Sequence, residues 1–508
     1  MQTFKASDLF PIVETAQGKL RGLISGGVSS FKGIRYGANT TGANRYQPPV
    51  APPRWAGVQD ATGHGNHAPQ MPSNRTREYA DLIMFDQQPG GMGEDCLVLN
   101  LWTPTRDANA RLPVMVHLHG GGYYAGSGNS PVSDGEMLAR FGNAVVVTLN
   151  HRIGSFGFLD LSNIGGERYA QSGMVGMLDI VAALQWVREN IAAFGGDPSR
   201  VLVFGQSGGG AKTSVLMAMP AAKGLFHRAG VMSGSALRAT TPDHAGTAAE
   251  TFLKILGIGK DSLDKLHTLP FQELLAAQIT MEMADRAAGE APRSFSPVMN
   301  GSSLPRQPFD PDAPEVSSDV PMIVSTVLDE RSYRAVNFDL SEAELAKSLG
   351  PNGDKLLALY RAEDPTGTPY LIQARMITDK TFRKAAHAQA ERKAAQGGAP
   401  VWTYLWTAPS PAYGGRFGAT HGVDVGPTKH DIRYGLNGPN AESVRLANQL
   451  ASAWAAFAAT GNPNNPLTPE WPAFTLEHRA TMVFDKDGAV TGSQDDPRGA
   501  IREFWATR

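Results

Sequence analysis

The sequence predicts an α/β protein built on a large, mostly parallel, twisted sheet flanked by helices, and three observations carry that expectation. Residues 96–102, 113–118 and 144–149 are short apolar runs bounded by turn residues, as strands buried on both faces should be. Ile180, Leu184, Val187, Ile191 and Phe194 recur at three- and four-residue spacing, which makes one apolar helical stripe. Gly195-Gly196-Asp197-Pro198 stops that helix, and the apolar run 201–204 follows at once. Strand, helix and strand with tight connections form the crossover unit of a parallel sheet.

Taken in order, residues 12–36 alternate apolar and polar around Gly18, Gly22 and Gly26-Gly27, which predicts a pair of hairpins at a sheet edge. Four prolines within 45–55 exclude helix and ladder, so this stretch is extended and irregular. Residues 64–93 are polar and rich in Gly, Pro, Asn and Gln, and read as a long functional surface loop. Beyond the run 201–204, residues 228–233, 320–326 and 400–406 continue the sheet. The segments 240–318 and 341–396 lean helical and read as insertions covering a pocket, and 441–459 is a late amphipathic helix with Leu446, Leu450, Trp454 and Phe457 on one face. No repeat and no linker divides the chain, so 1–508 reads as one domain.

Composition narrows the function classes. Hydrophobic residues make up 42% and charged residues 19%, with a net charge of −2, so neither a polyanion-binding surface nor a nucleic-acid partner is expected. The absence of an apolar run near 18 residues argues against a membrane partner. A single cysteine, Cys96, and a start without an apolar leader favour the cytoplasm, with a periplasmic or secreted location still open if a leader has been removed. The oligomeric state is not legible.

The chemistry centres on Gly205-Gln206-Ser207-Gly208-Gly209, where the strand 201–204 turns directly into a helical stretch. Such a turn lifts the serine clear of the sheet, and glycines at 205 and 209 remove β-carbons that would collide. With 56 glycines in 508 residues a bare match is common by chance, so the surroundings must carry the reading. A serine nucleophile needs a base, an acid and oxyanion donors. His119-Gly120-Gly121-Gly122-Tyr123 follows the strand 113–118 and offers the amides of Gly121 and Gly122, which join that of Gly208. Asp329 and Glu330 both follow the strand 320–326 and are not distinguished by position. In the order nucleophile, acid, histidine, the base is His421 or His430, with a modest edge for His421.

These residues resemble the type-B carboxylesterases of the α/β-hydrolase superfamily, the group of bacterial para-nitrobenzyl-esterase-like enzymes. Phe31-Lys32-Gly33-Ile34-Arg35-Tyr36, Glu94-Asp95-Cys96-Leu97-Val98-Leu99-Asn100, Asn150-His151-Arg152, Ala193-Phe194-Gly195-Gly196-Asp197-Pro198 and Thr460-Gly461-Asn462-Pro463-Asn464 are similar to its landmarks, so the likeness spans nearly the whole chain. The resemblance implies an α/β-hydrolase fold and a serine carboxylesterase with Ser207, Glu330 and His421 as its catalytic triad. It also implies an oxyanion hole at Gly121, Gly122 and Gly208, with neither cofactor nor metal. Gln206, Ser233 and Asp424 would support the triad, Ser233 by backing Glu330, and Glu94 and Arg152 would pair structurally. Tyr123, Tyr124 and Trp406, with Trp402 and Tyr413, are candidate pocket walls, although for each of them a place in the core is the readier expectation.

The departures from the family pattern also speak. The family has Gly-Glu-Ser-Ala-Gly at the elbow; Gln206 removes a charge and points to uncharged, aromatic or moderately bulky esters, while Gly208 suggests a looser oxyanion hole. Arg331 stands where the family has glycine, and Cys96 lacks the partner of secreted members, so it reads as a buried thiol. The expected partner is a small-molecule ester. Carbamate or amide hydrolysis by the same triad, or a silent binding homologue, are the alternatives.

Overall fold

In the computed structural model the apolar runs assemble into a sheet of eleven strands among the described residues, which are 9–71, 77–334, 336–350, 353–433 and 435–507. In chain order the strands are β1 (Leu23–Ser25), β2 (Val28–Arg35), β3 (Val98–Thr103), β4 (Leu112–Leu118), β5 (Val145–Leu149), β6 (Gly196–Gln206), β7 (Arg228–Met232), β8 (Met322–Val327), β9 (Val401–Trp406), β10 (Ala480–Phe484) and β11 (Gly492–Asp495). Across the sheet they lie in the order β11-β10-β9-β8-β7-β6-β4-β5-β3-β2-β1. From β5 to β10 every neighbouring pair is parallel. The margins at β1, β2 and β3 and at β11 pair antiparallel.

Parallel pairing demands crossovers that cover both faces, and this explains why β4, β5 and β8 are buried at every residue; β3, antiparallel to both its neighbours, is buried as fully. The period of two divides β6 cleanly. Val201 and Val203 face one layer with Ile180, Leu184 and Val187 of α1 (Val175–Asn190). Leu202 and Phe204 face the other, with Leu450, Trp454 and Phe457 of the helix Ala441–Thr460. α1 and its 3-10 extension end at Gly195, whose φ of 80° needs a residue without a β-carbon.

Later elements complete the frame. α2 (Gly208–Leu216) follows β6. α3 (Pro369–Thr378) runs through a π-helical turn, Asp379–Arg383, into α4 (Lys384–Ala395). The chain's last helix is α5 (Gly499–Ala506). Helices Pro242–Leu256 and Phe271–Ala287 account for the helical character of 240–318. No helix among the described residues is long and apolar enough to cross a membrane.

Two expectations are corrected. Only the second predicted hairpin, β1 with β2, edges the main sheet; Ile12–Glu14 pairs with Lys19–Arg21, which pairs in turn with Val58–Asp60, in a separate three-stranded sheet. Residues 64–93 are more than a surface loop, because they contain the helix Arg77–Ile83 and bury Tyr79 and Phe85.

Candidate active site

β6 runs to Gln206 and α2 begins at Gly208, which leaves Ser207 alone at the apex with φ 58° and ψ −121°. A serine in that region is strained and persists only where its surroundings dictate it. One restraint is Ser207 N–H, which donates to Met232 O of β7 at 2.8 Å. Glycine is required on either side: a β-carbon at Gly205 would strike the Gly209 backbone, and one at Gly209 would strike Leu118 O of β4.

The structure separates the two adjacent carboxylates. Glu330 is fully buried, its Oε1 accepts from Val327 N at 2.9 Å and its Oε2 meets His421 Nδ1 at 2.5 Å. Asp329 turns the other way, pairing with Arg375 Nε at 3.0 Å and accepting from Ala419 N at 2.9 Å. A parallel bridge between Asp329 and Thr420 clips the two loops together. Asp329 therefore holds the loop that presents His421, while Glu330 holds the imidazole. His430 is elsewhere engaged, stacked on Phe141 with its Nε2 at 2.7 Å from Asn448 Oδ1.

The His421 ring is fixed on several sides. Tyr333 stacks on it with centroids 5.5 Å apart, and Phe382 lies at 5.3 Å. The Tyr79 hydroxyl donates to the His421 carbonyl at 2.5 Å. With Nδ1–H directed to Glu330, the lone pair at Nε2 is the acceptor, and it lies 3.1 Å from the Gln206 side-chain nitrogen. No hydrogen bond joins Ser207 Oγ to His421 among the described residues, so the amide of Gln206 is the resting partner of that nitrogen.

Gly121 and Gly122 adopt positive φ, 89° and 63°, and bring the turn after β4 against the start of α2. A β-carbon on Gly208 would collide with the Gly122 backbone nitrogen and oxygen. Glycine at 208 thus permits a close approach of the two segments. The Gly208 amide opens the first turn of α2, where backbone N–H groups have no intrahelical acceptor.

A cavity of about 60 Å³ adjoins Ser207 and His421, walled by Tyr79, Ile83, Phe85, His117, His119 and Val132 together with Ser127, Ser130 and Ser133. Among the described residues no carboxylate, lysine or arginine lines it. Burial holds the imidazoles of His117 and His119 well below the usual range, so both are neutral. Behind this wall, burial brings the ammonium groups of Lys212 and Lys429 down to about 7; they donate to His119 O and Val132 O.

The remaining predicted residues distribute as follows. Trp406 is 1% exposed and stacks on Phe484, and Trp402 donates to Trp471 O, so both are core and not pocket wall. Their strand places them there, because β9 is covered on both faces. Tyr123 packs on Phe158, and Tyr124 and Tyr413 are exposed; none of the three lines the cavity. Ser233 Oγ is buried without a partner and gives Glu330 no hydrogen bond. Asp424 is buried, accepts from Tyr404 Oη at 2.7 Å, and has its carboxyl pushed up to about 7 by burial. Glu94 and Arg152 do not pair: Glu94 takes Arg45 and Arg152 takes Asp179, each through two side-chain hydrogen bonds. Cys96 is buried as a free thiol.

Comparison with known proteins gives this geometry its context. Residues 10–501 match the model of the carboxylesterase family. The chain is 36% identical to para-nitrobenzyl esterase of Bacillus subtilis (strain 168) over 97% of this chain and 98% of that one. It is 32% identical to phenmedipham hydrolase of Pseudarthrobacter oxydans over 94% and 96% of the two chains. Among solved structures, an esterase from Clostridium hathewayi that can hydrolyze aliphatic aromatic polyesters superposes with a TM-score of 0.85 at 34% identity, covering 98% of each chain. With an α/β-hydrolase fold and likeness along nearly its full length, the chain belongs to the carboxylesterase family and is a carboxylic ester hydrolase.

Proposed function

We propose that the protein hydrolyses uncharged carboxylic esters through an acyl-enzyme formed on Ser207, with His421 as general base and Glu330 as the acid that orients it. The observation that carries this reading is the 2.5 Å contact of Glu330 with His421 Nδ1, placed beside a serine at a strained strand-to-helix apex in one cavity.

In the first step His421 Nε2 takes the Ser207 proton as Oγ attacks the ester carbonyl. For this the Gln206 amide must yield its place to Oγ, a tightening expected when a resting site receives substrate. The tetrahedral oxyanion is held by the amides of Gly121, Gly122 and Gly208, where each donor is worth roughly 3–4 kcal/mol in comparable sites. His421 then protonates the leaving alcohol and activates water against the acyl-enzyme. Glu330 keeps the proton on Nδ1 and stabilises the imidazolium that forms.

Substrate class follows from the wall. Among the described residues, a lining of apolar, aromatic, serine and glutamine side chains, with the neutral imidazoles of His117 and His119 and no carboxylate, lysine or arginine, offers a cationic or anionic substrate no ion-pair partner, and favours uncharged esters whose group beside the nucleophile is compact. Para-nitrophenyl esters of increasing acyl length, with a rapid-quench measurement of the first turnover, test the scheme. The expected result is a burst of para-nitrophenol equal to the enzyme concentration, followed by slower deacylation. Turnover that starts linearly and leaves no acyl adduct contradicts the covalent route.

A further inference from the structure

The glycine turn after β4 has no side chains of its own to hold it, yet each of its peptide planes is held by a hydrogen bond to its carbonyl. Lys212 Nζ donates to His119 O at 3.0 Å. His119 Nδ1 lies 2.9 Å from Gly120 O and carries the proton of that bond, because a carbonyl only accepts. Ala125 N–H donates to Gly121 O at 3.1 Å. In a planar trans peptide the N–H of the next residue points away from the pinned carbonyl. The second and third pins therefore aim the Gly121 and Gly122 amides, and the first fixes His119, where the second pin begins.

Lys212 is the unusual member of this set. It stands on α2 four residues beyond Gly208, so the two lie on one face of the helix about one turn apart. That face meets the glycine turn, since a β-carbon on Gly208 would strike the Gly122 backbone. Lys212 is fully buried, and no carboxylate pairs with it among the described residues. Its neighbours are the stacked imidazoles of His119 and His151, with centroids 5.0 Å apart, which burial keeps neutral. Burying an ammonium without a counter-charge is costly, and an apolar side chain of the same length would spare the fold that cost. A lysine here calls for a reason other than packing.

We propose that Lys212 is a positioning residue for the reaction: through the His119 carbonyl it holds the glycine turn with its amides aimed at the oxyanion. The inference rests on the oxyanion hole of the function proposed above. It adds the residue that keeps the hole in shape.

Lys212→Met in the full chain, with Lys212→Leu if that variant does not fold, separates this role from a structural one. Two inhibitors serve as probes, butyl trifluoromethyl ketone and butyl methyl ketone. With the first, Ser207 Oγ bonds to the ketone carbon, the serine proton passes to His421 Nε2, and the carbonyl electron pair moves onto oxygen as an oxyanion. The second is far less electrophilic and binds without that step. In Lys212→Met, kcat for para-nitrophenyl acetate should fall about tenfold or more, and affinity for the trifluoromethyl ketone should fall in proportion. Affinity for the methyl ketone should stay within about twofold, and the thermal midpoint should equal or exceed that of the wild type. An unchanged kcat, or equal losses of affinity for both ketones, overturns the role of Lys212. Ser207→Ala tells that failure from a failure of the underlying reading. If Ser207→Ala binds the trifluoromethyl ketone as tightly as the wild type, no serine adduct forms, and the triad reading falls together with the inference. If Ser207→Ala loses the tight binding and Lys212→Met keeps it, the triad reading stands and Lys212 has no part in the hole.

Discussion

At the carboxyl edge of the sheet, Ser207 follows β6 directly, Glu330 stands three residues beyond β8, and the bridge from Asp329 to Thr420 carries His421 to the same point. The wall above draws Tyr79, Ile83 and Phe85 from the segment 64–93 and His117 and His119 from the end of β4. Backbone geometry places the first group: a parallel sheet brings its strand ends to one side, and the turn at 205–209 admits glycine where any β-carbon would collide. Side-chain packing places the second, whose members share no period and no motif. The proposed reacting groups should therefore respond to substitution steeply and for every substrate. The wall should respond gently and selectively.

The steepest effects test the first half of that contrast. Ser207→Ala should lower kcat for para-nitrophenyl acetate by about four to six orders of magnitude while the thermal midpoint stays close to that of the wild type. Glu330→Gln keeps the shape but loses the charge that fixes the His421 tautomer, and kcat should fall by about three to four orders of magnitude. If Glu330→Gln costs less than tenfold, the role given to Glu330 beside His421 is wrong. Asp329→Asn, next in the chain, should instead be read out as lost stability, since it leaves the buried Arg375 with Asp364, at 3.2 Å, as its remaining carboxylate partner.

The wall should behave differently. Phe85→Ala should raise kcat/KM for longer acyl chains relative to acetate by roughly tenfold, with little change in kcat for acetate, in a direct competition assay. An equal fall for all chain lengths would move Phe85 from the wall into the machinery.

The smallest effect concerns Asp424. Its carboxyl ionises near 3.8 when unfolded and is raised to about 7 by burial in the fold. The folded chain thus binds a proton that the unfolded chain releases, and this group's contribution to stability falls as pH climbs from about 4 to about 7. Asp424→Asn keeps an acceptor for Tyr404, so the variant should gain on the wild type across that window in denaturant unfolding, and the gap should stay constant above it. A gap independent of pH contradicts a neutral Asp424.

The same contrast accounts for what was legible in the sequence. The elbow and the glycines after β4 are local patterns whose reason lies within a few residues, so they could be recognised on the chain. The difference between Asp329 and Glu330 is spatial: Arg375, 46 residues away, claims one of them. Physics of the sequence alone left that pair open, and only the family resemblance favoured Glu330. Trp406 was a candidate for the wall as well as for the core, because an aromatic residue at a strand end suits both, and the pairing of β9 between β8 and β10 decides for the core. Glu94 and Arg152 were misread for a related reason. Their pairing was carried over from the family resemblance, whereas Arg45 and Asp179 lie nearer in the fold. In the wall, the run Tyr79-Ala80-Asp81-Leu82-Ile83-Met84-Phe85 inside a polar segment was the available signal, an apolar helical turn where a surface loop was expected.

Covalent labelling addresses the proposed nucleophile most directly. A fluorophosphonate probe, followed by peptide mapping, should leave one adduct, on Ser207, at a rate that collapses in His421→Ala and vanishes in Ser207→Ala. An adduct on another residue, or ester turnover in Ser207→Ala at the wild-type rate, would contradict the account.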